Sequence, residues 1–179
     1  MGVRIEIILG SMFSGKSTEL IRRCSRYEAI GKNVSIINHS LDSRIQGENV
    51  ATHSKHTHKA IKTTNLLNLD FLPIPDCIGI DEAQFFPDLF DFISYMERFN
   101  VVIIIAGLDG DFKRNNFGQI HQCIPLCDTV TKLSAMCCEC KDGTPGIFTK
   151  KKDSSNNSVI DIGGNDKFVS VCRFHYFNE

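Results

Sequence analysis

The segment from Gly10 to Ser17 constrains this chain more than any other part of its sequence. It reads GSMFSGKS, which fits the pattern G-x-x-x-x-G-K-S, and it follows directly on the apolar run from Val3 to Leu9. In a strand–loop–helix unit of this kind, glycines let backbone N–H groups point at phosphate oxygens, and the next helix presents its positive N-terminus. The pattern predicts a loop that binds the phosphates of a nucleoside triphosphate. A Gly/Ser turn ahead of a helix is the alternative interpretation.

Side chains within this loop have separate expected roles. We expect Lys16 to reach the β- and γ-phosphates, and Ser17 to place its hydroxyl on Mg²⁺, a hard cation that prefers oxygen ligands. The cradle around the phosphates is formed by the other loop residues: Gly10, Ser11, Met12, Phe13, Ser14 and Gly15.

The composition limits the classes of protein to which the chain can belong. Its 179 residues carry a formal net charge of −1 and are 42% hydrophobic, which is typical of a globular protein with one substantial core. Because Lys and Arg are not in excess, we expect no direct binding to nucleic acid. No apolar run approaches the ~18 residues that suggest a membrane span, and no signal peptide is recognisable, so we expect a cytoplasmic protein without a membrane partner.

Segments typical of strands alternate with helical ones up to about residue 133. We predict helices over 18–30 and 87–99 and a long surface loop over 40–59. Strands are predicted over 3–9, 33–38, 77–81 and 101–106. The alternation favours an α/β fold with a mostly parallel sheet, whose ligands bind at the carboxyl ends of the strands. From about Ser134 paired cysteines and Gly/Ser/Asn turns take over, so we predict a nucleotide-binding domain over 1–133 and a small second domain over 134–179.

Two acidic residues stand at the end of the apolar segment Cys77 to Asp81. Asp81 is placed like the carboxylate that holds Mg²⁺ in P-loop proteins, directly or through water. Glu82 comes next, and a carboxylate beside the metal can accept a proton from an attacking hydroxyl or water, so Glu82 is the candidate general base. A pair of solvated acids in a loop is the alternative.

A loop rich in glycine and aromatic residues follows the almost wholly apolar strand over 101–106. It runs from Gly107 through Arg114 to Phe117 and Gly118. Its aromatic side chains either stack on a flat base or pack into the core, and the spacing favours neither. Arg114 is a candidate for countering phosphate charge.

Three of the eight cysteines form a metal-ligand pattern with a histidine. Cys137-x-x-Cys140 and Cys172-x-x-His175 are two ligand pairs separated by 31 residues, which suits a closed, structural Zn²⁺ site that ties down the loop between the pairs. Cys138 is adjacent and could compete as a ligand. Reduced cysteines without a metal are the alternative interpretation.

Four stretches of the chain together closely resemble thymidine kinases of the cellular and poxviral type. They are MFSGKSTEL at Met12 to Leu20, IGIDEAQFFPD at Ile78 to Asp88, LDGDFKRNNFG at Leu108 to Gly118, and the paired zinc ligands. Their order and spacing match that family across nearly the whole chain. The resemblance implies a RecA-like P-loop domain and a small zinc-binding domain with a lasso loop. It also implies transfer of the γ-phosphate of ATP to the 5′-hydroxyl of thymidine, with Mg²⁺ and a structural Zn²⁺.

The resemblance further assigns residues to the two substrates. It implies that Glu82 accepts the 5′-hydroxyl proton, and that Asp81, Gln84, Asp42 and Arg44 belong to the ATP and Mg²⁺ site. The positions that match the apolar lining of the thymidine pocket are Met12, Phe85, Leu108, Phe112 and Phe117. The lasso that would close over the base matches Val159, Ile160, Asp161, Ile162, Gly163 and Phe168.

Two positions depart from the family pattern. Phe168 stands where many relatives have tyrosine, so this chain cannot donate a hydrogen bond from a tyrosine hydroxyl to the nucleoside. Such a bond contributes about 1 kcal/mol to binding in a relative that makes it. His175 stands at a position that is often cysteine, and imidazole is an equally competent Zn²⁺ ligand.

Two other activities fit the same residues. One is a P-loop switch or DNA-associated ATPase whose zinc module binds a nucleic acid or protein partner, which the near-neutral charge disfavours. The other keeps the kinase chemistry and uses deoxyuridine, deoxycytidine or a nucleotide as the acceptor. The family also implies a homotetramer, which the composition does not indicate.

Overall fold

The computed structural model describes residues 2–41, 49–51, 57–152 and 166–178. Within these ranges the strands are β1 (Arg4–Gly10), β2 (Val34–His39), β3 (Asn49–Ala51), β4 (Thr57–Lys59), β5 (Ile61–Thr63), β6 (Cys77–Asp81), β7 (Val102–Leu108), β8 (Thr129–Leu133), β9 (Ala135–Met136), β10 (Pro145–Gly146), β11 (Phe148–Lys151) and β12 (Phe168–Val171). The α-helices are α1 (Lys16–Glu28), α2 (Leu89–Met96) and α3 (Arg173–Phe177). Single 3₁₀ segments occupy Leu66–Asn68, Ala83–Phe85 and Ile120–Leu126.

Six strands form one parallel sheet in the order β5-β2-β6-β7-β1-β8. Because the strands are parallel and in register, their carboxyl ends meet at one edge. Gly10 of β1 pairs with Leu108 of β7 on one side and with Leu133 of β8 on the other. The predicted α/β fold with a mostly parallel sheet is confirmed. Among the described residues, no helix combines the length and the apolar character that crossing a bilayer requires.

Apolar side chains cover both faces of the sheet. In β1, Ile5 and Ile7 belong to a core shared with α2, whereas Ile8 belongs to a core shared with α1. This alternation is the two-residue period of a strand, and burial on both faces explains the near-continuous apolar runs of β1 and β7. The central strands are therefore packed on both faces, and this packing positions the start of each loop at their carboxyl ends.

Helix α1 follows the phosphate-loop motif as predicted. Leu20, Ile21 and Cys24 are buried against the sheet, and Tyr27 packs on the same cluster. Ala29 lies within the helix predicted over 18–30 but is exposed, because α1 ends at Glu28.

The segment over 40–59 contains more regular structure than the predicted loop. Strands β3 and β4 pair antiparallel, with Asn49 opposite Lys59. The sequence analysis also misses β5 and β8, the two edge strands of the main sheet. All four strands are short and contain polar residues, and β4 has no apolar residue at all, so they lack the hydrophobic pattern from which strands are predicted.

The chain after β8 forms two small antiparallel ribbons, β9 with β10 and β11 with β12, followed by α3. A separate small core joins these elements, in which Cys137, Val171 and Cys172 are buried and Phe148 and Tyr176 pack against them. We refer to residues 134–152 and 166–178 as the C-terminal segment. The first element of this segment, β9, begins at Ala135, two residues after the end of β8.

Candidate active site and metal cluster

The predicted phosphate-binding loop lies at the carboxyl end of β1, between β7 and β8. Gly10 ends β1, and Gly15 is the N-cap of α1. A Cβ on Gly10 would lie 2.5 Å from the carbonyl oxygen of Leu133 and 2.6 Å from Ser14 Oγ. Only glycine therefore allows β8 and the loop to approach this closely. The strand–loop–helix order that the motif predicts is present.

Three features of this loop suit an anionic ligand. No described side chain caps the N-terminus of α1, so its first N–H groups can face phosphate oxygens. Ser14 Oγ is buried and has no hydrogen-bond partner within the described residues. Lys16 is buried, and its Nζ donates to the carbonyl oxygen of Ser11 at 2.8 Å, which holds the ammonium group against the loop backbone. These residues fit a triphosphate.

The acid pair lies at the carboxyl end of β6, which β7 separates from β1. Asp81 is buried, and its Oδ1 accepts a hydrogen bond from the N–H of Glu82 at 3.0 Å. Glu82 has a φ of 53°, in the left-handed region that residues other than glycine rarely adopt. Such strain persists only where the surrounding structure enforces it, and it concentrates at functional sites. The backbone at Glu82 is therefore consistent with a specialised role.

Gln84 holds the carboxylate of Glu82 in place. Its Nε2 donates to Glu82 Oε2 at 2.6 Å, while its Oε1 accepts the N–H of Leu108 at 3.0 Å. Gln84 is only 3% exposed, and a Cβ on Gly118 would overlap its carbonyl oxygen, so the loop after β7 packs directly on it. The sequence places Gln84 at the ATP and Mg²⁺ site through resemblance alone. Its observed side-chain contacts connect the candidate base to the end of β7.

Aromatic residues predicted to contact thymidine, three from the pocket lining and Phe168 from the lasso, form two contact groups. Phe85 and Phe117 meet edge to face, with ring centroids 5.5 Å apart. Phe112 and Phe168 share Lys151, whose Nζ lies 5.4 Å from the first ring centroid and 6.0 Å from the second. Phe85, Phe112 and Phe117 are half-buried and keep surface for a ligand, whereas Phe168 is already buried.

Two hydroxyl groups of the C-terminal segment hold the backbone of Met12. Thr149 and Ser170 stand opposite each other on β11 and β12, and both are buried. Thr149 Oγ1 accepts the N–H of Met12 at 3.0 Å, and Ser170 Oγ donates to the carbonyl oxygen of Met12. Ser11 Oγ donates to the carbonyl oxygen of Gly146 at 2.8 Å. The phosphate-binding loop is therefore anchored on the C-terminal segment as well as on the main sheet.

The four predicted metal ligands come together beside α3. His175 Nδ1 lies 3.3, 3.4 and 3.7 Å from the Sγ atoms of Cys140, Cys172 and Cys137, and the Sγ atoms of Cys140 and Cys172 are 3.8 Å apart. Tetrahedral Zn²⁺, with Zn–S near ~2.3 Å and Zn–N near ~2.0 Å, separates two sulfurs by about 3.8 Å and a sulfur and a nitrogen by about 3.5 Å. These four residues fit Zn²⁺. Cys138, the competing candidate, is not part of the group.

The local environment favours thiolates at two of these positions. Burial raises the pKa of Cys137, but the backbone N–H groups of Cys140, Cys172 and Glu139 outweigh it and lower that pKa to about 6. The N–H of His175 lowers the pKa of Cys172. Burial and hydrogen bonds with the other two thiols raise the pKa of Cys140 to about 11. A bound dication neutralises the negative charge that accumulates on three sulfurs.

Some predicted site residues fall outside the described part of the chain, and their assignments stay predictions. They are Asp42, Arg44, Val159, Ile160, Asp161, Ile162 and Gly163.

Three residues with contacts to the candidate site are absent from the sequence predictions. Thr149 and Ser170 belong to no motif, and their pairing arises from the register of β11 and β12. Tyr176 follows a predicted metal ligand, yet nothing in that spacing indicates that its hydroxyl reaches the carbonyl oxygen of Phe112, at 2.8 Å.

The fold and the site define a class of protein. A parallel α/β sheet with a phosphate-binding loop after its first strand, and a buried acid two strands away, is the arrangement of a P-loop nucleotide-binding protein. A cluster of three cysteines and one histidine, compatible with zinc, adjoins it.

Comparison with known proteins gives the family. The thymidine kinase family model matches residues 3–176. The thymidine kinase of raccoon poxvirus is 44% identical over 180 residues, covering 99% of each chain. That of vaccinia virus (strain Western Reserve) is 41% identical over 179 residues, covering 99% of this chain and 98% of the relative. That of Amsacta moorei entomopoxvirus is 42% identical over 182 residues, covering 97% and 98%. The chain belongs to the thymidine kinase family and is a kinase, which confirms the resemblance inferred from its motifs.

Proposed function

We propose that this protein transfers the γ-phosphate of ATP to the 5′-hydroxyl of thymidine, giving thymidine monophosphate and ADP. Membership of the thymidine kinase family supports the substrates. One observation supports the assignment of Glu82 to the chemical step. Gln84 Nε2 donates to Glu82 Oε2 at 2.6 Å, which holds the carboxylate at the same edge of the sheet as the phosphate-binding loop.

Glu82 is the proposed general base. The 5′-oxygen of thymidine attacks the γ-phosphorus while its proton passes to the Glu82 carboxylate, and the bond from the γ-phosphorus to the β–γ bridging oxygen breaks to release ADP. Lys16 and the N-terminus of α1 counter the charge on the phosphate oxygens. Ser17 and Asp81 would hold Mg²⁺, which neutralises charge on the β- and γ-phosphates when bound.

The proposed nucleoside pocket uses the apolar side chains near the acid pair. Half-buried Phe85, Phe112 and Phe117 offer aromatic surface for the thymine ring, with Met12 and Leu108 completing the lining. The family resemblance supports Asp42 and Arg44 as further contacts to ATP. It likewise supports a lasso formed by residues 159–163 and Phe168, which would exclude water from the reacting groups.

The metal cluster is proposed to hold one structural Zn²⁺. Four protein ligands leave no open position for substrate or a reactive water, so the ion would act by fixing the fold. The cluster adjoins the β11–β12 ribbon, whose Thr149 and Ser170 hydroxyls hold Met12. Zn²⁺ would thereby stabilise the phosphate-binding loop indirectly.

Family membership also supports three finer proposals, on domain boundary, location and assembly. We place the boundary between a nucleotide-binding domain and a zinc-bearing domain at residues 133 and 134, and we propose a cytoplasmic homotetramer. Light scattering coupled to gel filtration tests the assembly, with a mass four times that of the chain as the expected result. A monomer mass would contradict it.

Transfer of labelled γ-phosphate tests the proposed activity directly. Mg·ATP is offered to the purified protein with thymidine, deoxyuridine, deoxycytidine, deoxyadenosine or deoxyguanosine, and transfer to thymidine is expected to dominate. Glu82→Gln should lower kcat at least ~10²-fold while ATP still binds, because the amide cannot accept the proton. Glu97→Gln makes the same change at an exposed position at the end of α2 and should leave turnover unchanged.

Other results would redirect the assignment. Near-normal turnover of Glu82→Gln would remove Glu82 from the role of base. A preference for deoxycytidine would change the acceptor, and DNA-stimulated ATP hydrolysis without nucleoside phosphorylation would favour a P-loop ATPase.

A further inference from the structure

The short helix α3 contacts the loop that carries Phe112. The Tyr176 hydroxyl donates to the carbonyl oxygen of Phe112 at 2.8 Å. The Arg114 guanidinium lies 4.6 Å from the ring centroids of both Tyr176 and Phe177, within the range of cation–π attraction. The loop is therefore held by α3 at two of its residues, Phe112 and Arg114.

The loop itself is a closed turn organised by Asp111. Asp111 Oδ1 accepts the N–H groups of Lys113 and Asn115, each at 2.8 Å, and the Asp111 N–H donates to the carbonyl oxygen of Asn115 at 3.0 Å. Asp111 is buried, and Arg114 has a left-handed φ of 66°. A turn closed by this many internal bonds moves as a unit. A contact at Arg114 or at the Phe112 carbonyl therefore also positions the backbone from which the Phe112 side chain projects.

The other end of the contact is equally well supported. The Tyr176 ring packs on Phe148 with centroids 5.1 Å apart, as part of the small core of the C-terminal segment. Its neighbour His175 belongs to the metal cluster, and the His175 carbonyl oxygen accepts a hydrogen bond from Lys150 Nζ at 3.0 Å. The Tyr176 ring is therefore held in a packed core, although the residue lies close to the end of the described chain.

We propose that Tyr176 is a positioning residue for the nucleoside site, which sets where the Phe112 side chain stands through its bond to the Phe112 carbonyl and its stack with Arg114. This inference rests on the proposed place of Phe112 in the thymidine pocket. Tyr176 acts through the loop and not on the reacting atoms. Its loss therefore weakens thymidine binding while ATP binding and the chemical step are retained.

The test is steady-state kinetics of Tyr176→Phe, which removes the hydroxyl and keeps the ring. The KM for thymidine is expected to rise about two- to tenfold, the effect of one lost hydrogen bond, with kcat and the KM for ATP within about twofold of the parent. Arg114→Gln removes the cation–π contact between the loop and the Tyr176 ring, and it should also raise the KM for thymidine. The matched control is Tyr95→Phe on α2, where Tyr95 also has an arginine, Arg98, 5.7 Å from its ring centroid.

Thermal unfolding and metal content accompany the kinetics of each variant. Equal rises in both KM values together with a lowered unfolding midpoint would show a merely structural role and overturn the proposal. An unchanged KM for thymidine in Tyr176→Phe would overturn it as well.

Kinetics of Phe112→Ala test separately whether Phe112 lines the thymidine pocket, the assignment on which this inference rests. If Phe112→Ala raises the KM for thymidine and Tyr176→Phe does not, the pocket stands and the positioning role fails. If Phe112→Ala leaves that KM unchanged, the proposed place of Phe112 fails, and the inference fails with it. Where both single changes raise the KM, adding Tyr176→Phe to Phe112→Ala should produce no further rise, because the hydroxyl acts through that ring.

Discussion

Gln84 shows how one buried amide can organise a candidate catalytic group. Its side chain donates to Glu82 and accepts from the backbone of Leu108, so both of its polar atoms are used. A carboxylate held in this way loses little freedom when substrate arrives, because its direction is already set. At Glu82 this order coexists with an unfavourable backbone, since the left-handed conformation costs a residue other than glycine about 1–2 kcal/mol.

Replacing this amide separates its effects on activity and on stability. Gln84→Met keeps the length of the side chain and removes both hydrogen bonds, so kcat is expected to fall about tenfold or more because Glu82 is no longer held. The N–H of Leu108, whose bond to Gln84 is partly buried, also loses its acceptor, which should cost about 1–2 kcal/mol of unfolding free energy. Saturation kinetics and urea unfolding measure the two effects.

The control for that change is Gln119→Met. Gln119 Oε1 accepts the N–H of Phe90 at 2.9 Å, so a comparable side-chain bond to the backbone is lost away from the acid pair. A similar loss of stability with normal kcat is expected there. If Gln84→Met also retained normal kcat, the amide would have no positioning role at Glu82.

At the scale of elements, Arg23 joins α1 to the sheet. Its guanidinium is 2.8 Å from Glu6 on β1, 2.8 Å from Glu19 on α1 and 3.0 Å from Thr131 on β8. The side chains of Arg23 and Glu6 are only 14% and 10% exposed. A charge this deeply buried needs its partner, because water cannot replace the lost interaction.

Arg23→Met should lower the free energy of unfolding by about 2–3 kcal/mol. An isolated buried charge costs ~3–5 kcal/mol, and the loss is smaller here because the more exposed Arg4 still pairs with Glu6 at 2.8 Å. Arg22→Met is the control, since Arg22 is 56% exposed in its pair with Glu19 and water can replace the lost interaction, so this change should lower the free energy of unfolding far less. Urea unfolding measures the free energy of unfolding of both variants. Equal decreases would contradict a special role for Arg23.

Elements with a strong local signal are predictable from this sequence, and those without one are not. The bounds of β6 are predicted as found, and α1 begins within two residues of its predicted start, because apolar runs and the phosphate-loop motif are local patterns. The strand β8 reads TVTKL and lies at an edge, so its membership of the sheet depends on pairing with β1. The same limit applies to the site. Motif residues are predictable, whereas the bond from Tyr176 to Phe112 depends on the packed fold.

Across the whole molecule, the C-terminal segment supports both proposed substrate sites. The hydroxyls of Thr149 and Ser170 hold Met12 in the phosphate-binding loop, and Tyr176 holds the carbonyl oxygen of Phe112 on the nucleoside side. The metal cluster draws its ligands from both ends of this segment and packs in its small core. A change that destabilises the metal cluster should therefore weaken binding at both substrate sites.

Cys140→Ser tests this connection. Zinc content is expected to fall from about one ion per chain, the unfolding midpoint should fall with it, and the KM values for thymidine and for ATP should both rise. Both rise because the loosened segment holds Phe112 on one side and the Met12 backbone on the other. Cys138→Ser is the control, because the Cys138 thiol lies outside the cluster. The zinc content of this variant should stay at about one ion per chain. Full zinc in Cys140→Ser would place the ligands elsewhere, and zinc loss with unchanged KM values would show that the segment does not couple the metal to the substrates.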